Sequence, residues 1–300
     1  MLRILYGTAG TGKSAAIMDE IRRGADSGER YILLVPEQYS HEAERELCAV
    51  CGDGLSLYAE VLSFTGLARE ISSECGGAAN EYLDKGGRLL CMALAADGLY
   101  SRLRVYGAAR RKAELQTMLL GAVDEFKSAC VTSERLLDAA ETCEGALGDK
   151  LHDLGLILEA YDGVVANGRA DPSDRLSVLA QQIGQCSMSE RTHVFVDGFT
   201  DFTAQERRVL EALLLKGVRL TVCLGCDELH GGSEVFALSR ITASALLKFA
   251  ADNGIKAQTE RRDGESIKAK PLGEFCENMF SYRAVEAGDA QGRIKIISAA

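Results

Sequence analysis

The sequence predicts an α/β protein with a parallel-sheet core and an inserted all-helical subdomain. An apolar run, residues 2–6, is followed by a glycine-rich loop, a helical pattern over 13–23 and a second apolar run, 31–35. A strand–loop–helix–strand unit of this kind is typical of parallel sheets, because parallel strands need a crossover connection. A block from about 80 to 165 is helical almost throughout, and a strand pattern returns at 191–199. A helical block between two strand-bearing blocks indicates an insertion.

These patterns place the core at 1–72 and 168–300 and the helical insertion at 73–167. The sequence ends inside a strand pattern, residues 292–300, as we expect of a piece cut from a longer protein. The other predicted elements are helices over 37–50, 64–74, 204–217 and 240–254, an extended segment over 55–63 and a strand over 218–225.

Composition excludes some classes of protein. The 300 residues carry a formal net charge of −10, which argues against strong DNA binding by this chain alone but not against a local basic groove. There is no stretch of ~18 apolar residues and no signal-peptide pattern. We therefore expect a cytoplasmic protein that makes no membrane contact and keeps its ten cysteines reduced.

Two CxxC pairs, Cys48/Cys51 and Cys223/Cys226, have the spacing of zinc ligands. However, the second pair begins in a strand-like segment, where a thiol serves as a small apolar side chain, and the first falls on a helical pattern. We favour the structural interpretation of both pairs over a four-thiolate zinc site.

The loop GTAGTGKS, residues 7–14, matches the phosphate-binding pattern G-x-x-x-x-G-K-[S/T]. Its glycines let backbone N–H groups point at phosphate oxygens, and the following helix adds its positive N-terminus. Lys13 would reach the outer phosphates and Ser14 would bind magnesium, so ATP and Mg²⁺ are the expected cofactors. An ordinary strand–helix turn without a ligand is the alternative. The predicted nucleotide-binding residues are Gly7, Gly10, Thr11, Gly12, Lys13 and Ser14.

A phosphate-binding loop of this kind also needs a carboxylate at the end of a neighbouring strand, to hold magnesium. The segment VFVDG supplies Asp197 at such a position. The same Asp-Gly dipeptide is also typical of a plain turn. We favour the magnesium role because the loop lies upstream.

Several segments occur in the order seen in superfamily 1 helicases: GTAGTGKS, ILLVPEQYSHEAERELC, VLSFTGLAREI, DPSDRL and VFVDGFTDFTAQERRVLEALL. Together they resemble the N-terminal part of the B subunit of AddAB-type (RexAB-type) ATP-dependent helicase/nucleases, over essentially all 300 residues. The resemblance implies a RecA-like P-loop NTPase core, DNA double-strand-break processing for recombination, and the motor/nuclease A subunit of the same complex as a partner. It also implies a separate nuclease domain with iron–sulfur cysteines, and the cysteines of this sequence are not assigned to that cluster.

The same resemblance implies DNA contacts at two segments. Gln38, Tyr39 and Ser40 fall where motor helicases place their first DNA-contacting motif, and Ser63 and Phe64 fall at the second. Tyr39 and Phe64 would then stack on bases. For Phe64 a core position at the start of a helix is an equal alternative. We expect the isolated chain to bind DNA weakly and in a salt-sensitive way.

The sequence also departs from a motor helicase. Gly198 stands where the second ATPase motif has Glu, and Thr200 stands where it has Gln. The segment 223–232 lacks the Gln of the coupling motif, and only six residues precede Gly7, so the upstream adenine-reading Gln is missing. These departures predict an ATP-binding but catalytically degenerate helicase-like module. The alternatives are an active P-loop phosphotransferase or ATPase, with a lid over residues 107–112, and an interaction domain with an empty loop.

Overall fold

The computed structural model describes residues 1–52, 54–76 and 82–262, and it confirms the predicted α/β class. Its described residues form a six-stranded, all-parallel sheet and ten α-helices. The strand predicted within 292–300 lies outside the described residues.

The strand order is β3-β2-β4-β5-β1-β6, so β5 lies between β1 and β4. In β1 and β5 Gly7 is level with Gly225, and in β4 and β5 Val196 is level with Val222. The strands are β1 (Leu2–Gly7), β2 (Arg30–Leu34), β3 (Ala59–Leu62), β4 (Thr192–Val196), β5 (Arg219–Gly225) and β6 (Ala257–Arg261).

The described residues form two compact units, one drawn from 1–64, 188–201 and 213–262, the other from 65–187 and 202–212. The sequence-based limits of the insertion, 73 and 167, stay a prediction. The α-helices are α1 (Lys13–Arg23), α2 (Ser40–Cys51), α3 (Phe64–Glu74), α4 (Lys85–Gly98), α5 (Ala113–Ser128), α6 (Ser133–Thr142), α7 (Gly145–Val165), α8 (Arg175–Gln182), α9 (Ala204–Leu215) and α10 (Ala237–Asp252).

The first unit buries one face of the sheet beneath α1 and α2. Strand residues alternate between faces, so Leu5, Leu33 and Phe195 point towards these helices. From the helices, Ile17 of α1 and Leu47 of α2 complete this apolar core. Both strand and helix contribute fully buried side chains, which fixes the start of α1 against the carboxyl end of β1.

The second unit has its own apolar core, drawn from α4, α5, α6 and α7. Asp153 of α7 is fully buried there and accepts hydrogen bonds from the backbone N–H groups of Arg104, Val105 and Tyr106 at 2.7–3.0 Å. Burial raises the pKa of Asp153, but the three N–H donors together outweigh it and hold the pKa below its usual value. The carboxylate therefore fixes the turn that follows α4.

The predicted helices are all present, and the limits of α2, α9 and α10 differ from the predicted ones by one to three residues at an end. Helices α1 and α3 are confirmed residue for residue. The extended prediction over 55–63 is wrong at its start, because Leu55–Leu57 forms a 3₁₀ turn before β3. The sequence analysis also missed β6, whose side chains are mostly exposed and carry no apolar run. None of the helices formed by the described residues is long and apolar enough to cross a membrane.

His193 of β4 provides a pH-dependent test of the core. Its ring stacks on Phe195 with centroids 4.0 Å apart, and its Nε2 lies 2.9 Å from Thr221 Oγ1. Burial, followed by the charges of Arg219 and Arg3, lowers the pKa of His193 to about 3. The unfolded chain, with a histidine pKa of ~6.5, therefore binds a proton that the folded chain does not.

We predict that this histidine's contribution to stability is complete above pH 6.5 and falls as the pH is lowered from 6.5 towards 3. The slope approaches about 1.4 kcal/mol per pH unit for one proton. His193→Gln, which keeps a polar partner for Thr221, should lose this dependence, whereas His41→Gln, at an exposed position on α2, should match the wild type. Urea unfolding at several pH values measures both, and parallel pH profiles for wild type and His193→Gln would contradict the assignment.

Candidate nucleotide-binding site

The predicted nucleotide-binding and magnesium-binding residues lie at the carboxyl edge of the sheet, where ligands bind in open parallel α/β folds. The glycine loop follows β1 and Asp197 follows β4, with only β5 between them. Two strand spacings amount to roughly 10 Å. The strand order therefore brings Asp197 within reach of a metal ion held next to the loop.

The loop has the backbone geometry that its glycines predict. Gly10 and Gly12 have φ angles of 86° and 77°, in the left-handed region that disfavours side chains. A Cβ on Gly7 would lie 2.7 Å from both the Arg262 carbonyl oxygen and Thr11 Oγ1. Helix α1 begins at Lys13 with no capping side chain and no acidic residue in its first turn. This N-terminus therefore fits an anion such as a phosphate.

Lys13 folds back over the loop. Its Nζ donates to the carbonyl oxygens of Gly7 and Thr8, both at 2.7 Å. Thr11 Oγ1 donates to the same Thr8 carbonyl at 2.9 Å and tightens the turn. The ammonium group is thus held at the concave side of the loop, where the outer phosphates of a nucleotide would compete with the carbonyls for it.

A pocket of about 200 Å³ joins Ser14 to Asp197. A serine hydroxyl and a carboxylate are hard oxygen donors, which suit Mg²⁺, an ion that keeps several of its own waters. The donor set therefore fits magnesium, with Ser14 and Asp197 as the residues that would hold it. The lining residues are Ser14, Met18, Leu33, Val35, Pro36, Tyr39, Glu42, Ala43, Glu46, Asp197 and Gly198.

The cysteines next to this edge are buried thiols. Burial, reinforced by Asp197, raises the pKa of Cys223 far above its usual value. Burial and then Asp227 raise the pKa of Cys226, whose Sγ donates to the Glu228 carbonyl at 2.9 Å. In the described part of the chain, no three His, Cys, Asp or Glu side chains are grouped to hold a metal ion.

Gly198, where a motor helicase carries its glutamate, has a backbone reason to be glycine. Its φ is 83°, and a Cβ there would lie 3.2 Å from Pro36 Cδ. Its N–H donates to Asp197 Oδ1 at 2.9 Å. The turn after β4 is thus built around a left-handed residue, in which a larger side chain is strained.

The predicted DNA contacts fall into two groups. Gln38 and Tyr39 are exposed on the segment after β2, and the half-buried Ser40 lies next to them with its Oγ 3.5 Å from the Pro36 carbonyl. Tyr39, 48% exposed, lines the pocket.

The second group is buried. Ser63 and Phe64 are 7% and 6% exposed, and the Phe64 ring packs edge-to-face on Phe199 with centroids 5.5 Å apart. The chain thus offers Tyr39 for stacking more readily than Phe64, and DNA contact at either segment stays a prediction.

Sequence analysis missed two carboxylates of the pocket, Glu42 and Glu46 of α2. The available signal was helical spacing: Tyr39, Glu42 and Glu46 recur at intervals of three and four residues, on one helical face. That face becomes meaningful only once β2 is placed next to β4, which the sequence pattern alone does not specify.

The parallel sheet, with its glycine loop at the carboxyl edge, defines the class: an α/β protein with a RecA-like core. Within that class the chain belongs to the family described as "ADDB, N-terminal", which matches residues 4–273.

This chain is similar to several curated proteins, each named as the B subunit of an ATP-dependent helicase/deoxyribonuclease. The protein from Thermoanaerobacter sp. (strain X514) is 33% identical over 292 residues, which cover 94% of this chain and 25% of that protein. The protein from Desulforudis audaxviator (strain MP104C) is 35% identical over 268 residues, 86% of this chain and 23% of its own length. The chain thus spans about a quarter of the length of these relatives.

The left-handed turn after β4 gives a test of the site's backbone. We predict that Gly198→Ala lowers the free energy of unfolding by about 1–2 kcal/mol, because of its φ and the close Pro36 contact. The control is Gly225→Ala at the end of the neighbouring strand β5, where a Cβ meets nothing within 4 Å. That change should be neutral or slightly stabilising. Urea unfolding compares the two, and equal effects would show that the turn is not strained.

Proposed function

We propose that the chain binds magnesium nucleotide through residues 7–14 and Asp197, and that it hydrolyses ATP only near the background rate. In this proposal it is a catalytically degenerate, helicase-like module within the B subunit of a helicase/deoxyribonuclease. It acts in bacterial DNA double-strand-break repair by recombination, together with the motor/nuclease A subunit of the same complex.

One observation carries the binding half of the proposal: Ser14 and Asp197 line the same pocket at the end of the glycine loop. The loop supplies N–H groups and the Lys13 ammonium for phosphate, and the two oxygen donors fit magnesium. The relatives are named as one subunit of an ATP-dependent helicase/deoxyribonuclease, which supports a role on DNA beside a further protein chain.

The second part of the proposal, hydrolysis only near the background rate, is supported by the residues of the turn after β4. Phosphoryl transfer is catalysed by positioning and by charge stabilisation. Lys13, Ser14 and Asp197 serve ground-state binding, whereas Gly198 has no side chain to orient water. The arginine fingers of the resembled helicases, worth ~10³–10⁵ in rate, belong to a second motor domain. The alternative is an active phosphotransferase or ATPase. A measured rate of ATP turnover distinguishes such an enzyme from a degenerate module.

We predict that Mg-ATP and ADP bind to the 300-residue chain in a calorimetric titration and that Lys13→Ala abolishes binding while the chain stays folded, as a cooperative urea unfolding transition would show. Lys85→Ala, an exposed lysine at the start of α4, is the matched control and should bind like the wild type. No heat with either nucleotide would favour an empty loop.

The same samples decide between the functional alternatives when phosphate release is measured. Turnover near ~1 s⁻¹, typical of working enzymes, that disappears in Lys13→Ala would sink the hypothesis of a degenerate module. Gly198→Glu alone should not create turnover, because it does not supply the arginine fingers that stabilise the transition-state charge and because the turn is strained.

DNA binding by the chain alone is expected to be weak. The net charge is −10, and the carboxylates of Glu42 and Glu46 line the pocket beside Tyr39, where they oppose a phosphate backbone. We predict that a fluorescein-labelled single-stranded oligonucleotide binds with a Kd above about 1 μM at low salt and loses affinity steeply as salt rises. Fluorescence anisotropy at about 50 and 200 mM NaCl measures this, and submicromolar binding that persists at the higher salt would contradict it.

A further inference from the structure

Strand β6 brings a cation to the glycine loop. Tyr6 of β1 is paired with Arg261 of β6, and the next residue, Arg262, donates its N–H to the Tyr6 carbonyl at 2.8 Å. Arg262 therefore lies opposite Gly7, the first residue of the loop. A Cβ on Gly7 would lie 2.7 Å from the Arg262 carbonyl oxygen and 3.5 Å from the Arg262 Cβ. The residue after β6 is thus in direct contact with the loop.

We propose that Arg262 is a further nucleotide-binding residue and that its guanidinium binds the α-phosphate of the nucleotide held by residues 7–14. The contact rests on the proposed function, because it needs a nucleotide in the loop. A planar guanidinium donates two parallel hydrogen bonds to phosphate oxygens, which makes arginine a strong partner for this group. The G-x-x-x-x-G-K-[S/T] pattern does not contain this residue, which follows the loop by about 250 positions in the chain.

Alternation along the strands sets the direction of the Arg262 side chain. Leu5, which is buried with α1 and α2, is paired with Glu260, and Gly7 and Arg262 are each two residues further along. Side chains two residues apart on a strand lie on the same face of the sheet, so Arg262 projects to the face that carries α1. Helix α1 begins at Lys13. The guanidinium and the phosphate-binding helix N-terminus therefore lie on the same side of the sheet.

The strand order determines which phosphate Arg262 can reach. Asp197 follows β4, two strands to one side of β1, whereas Arg262 follows β6, the neighbour of β1 on the other side. A magnesium ion bridges the outer phosphates of a nucleotide, so Ser14 and Asp197 would draw these phosphates towards β4. The α-phosphate, at the other end of the phosphate chain, would then lie towards β6 and Arg262.

In the described part of the chain, the Arg262 guanidinium has only weak attachments. Its Nη1 lies 3.6 Å from Glu260 Oε1, beyond normal hydrogen-bond length, and the two side chains are 39% and 43% exposed. Glu260 is shared with Arg3, whose Nη1 lies 3.7 Å away. The Arg262 Nε is buried and has no hydrogen-bond partner among the described residues. A move of the guanidinium onto phosphate oxygens would give this donor an acceptor, which is favourable because a buried unpaired N–H is costly.

Arg261 provides a matched control. It carries the same charge one residue earlier, and alternation turns it to the opposite face of the sheet. Its Nη1 lies 3.9 Å from Glu228 Oε1. A general attraction between the basic end of β6 and a nucleotide would involve both arginines, whereas the proposed contact involves Arg262 alone.

The first experiment titrates the 300-residue chain with Mg-ATP and Mg-ADP by calorimetry, as wild type, Arg262→Gln and Arg261→Gln. ATP and ADP share the α-phosphate, so Arg262→Gln should weaken both by the same factor, about tenfold or more, as expected for the loss of a charged hydrogen-bonding partner. Arg261→Gln should bind both nucleotides like the wild type. A cooperative urea unfolding transition shows that each variant is folded, and the exposed Glu260 pair predicts little loss of stability in Arg262→Gln.

The second experiment is ³¹P NMR of bound Mg-ADP in the wild type and in Arg262→Lys. The lysine keeps the positive charge and some affinity but loses the planar pair of donors. The α-phosphorus signal should therefore shift between the two proteins, whereas the β-phosphorus signal should stay in place. Equal α-phosphorus shifts in both proteins would overturn the contact.

The two proposals fail in different ways. Unchanged affinity in Arg262→Gln, an equal loss in Arg261→Gln, or a loss confined to ATP would each overturn the role of Arg262 and leave the proposed function standing. If the folded wild-type chain binds neither nucleotide, the proposed function and the role of Arg262 are both overturned.

Discussion

The register between β1, β5 and β4 is the constraint on which the site depends. Gly7 at the end of β1 is paired with Gly225 of β5, whereas Val196 at the end of β4 is paired with Val222 of β5. Strand β4 therefore ends before β1 does, measured along the common strand direction. Asp197 follows Val196 directly, so its position along the strand direction is two residues, or roughly 7 Å, before that of Gly7. The loop therefore arches above the carboxylate and leaves space for a hydrated metal ion between them. A slip of one residue would turn every alternating side chain to the other face and close that space.

Much of this arrangement is visible in the sequence because its signals are local. Helix α1 has the predicted limits, since a glycine loop and an apolar helical stripe specify both its start and its buried face. Strand β6, Ala257–Arg261, was missed because this exposed edge strand has no apolar run that would predict a strand. Leu55–Leu57 looks extended by composition, yet it closes a 3₁₀ turn through Tyr58 N–H donating to the Leu55 carbonyl. Local composition cannot distinguish those two outcomes.

In the candidate site, too, the residues with a local sequence signal could be predicted and the residues placed by strand pairing could not. The loop residues were predictable because a backbone motif is contiguous, and Asp197 because it follows a buried strand. Glu42, Glu46 and Cys223 were not, because their relation to the site depends on which strands are neighbours. The order β3-β2-β4-β5-β1-β6 places α2 beside Asp197 only through the pairing of β2 with β4. Such pairings are set by the whole sheet and leave no mark in any single segment.

The departures from a motor helicase are part of the backbone, which supports the proposal of a degenerate module. After β4 the chain turns through the left-handed Gly198. After β5 the first carboxylate, Asp227, accepts the N–H groups of Glu228 and Ser233 at 2.7 Å each and pairs with Arg240. A Cβ on Gly232 would lie 2.6 Å from that carboxylate, so the loop is built around it. The turn at Gly198 and the loop around Asp227 are thus each held by their own local geometry, so exchanging one side chain would not restore the glutamate or the glutamine that the resemblance implies.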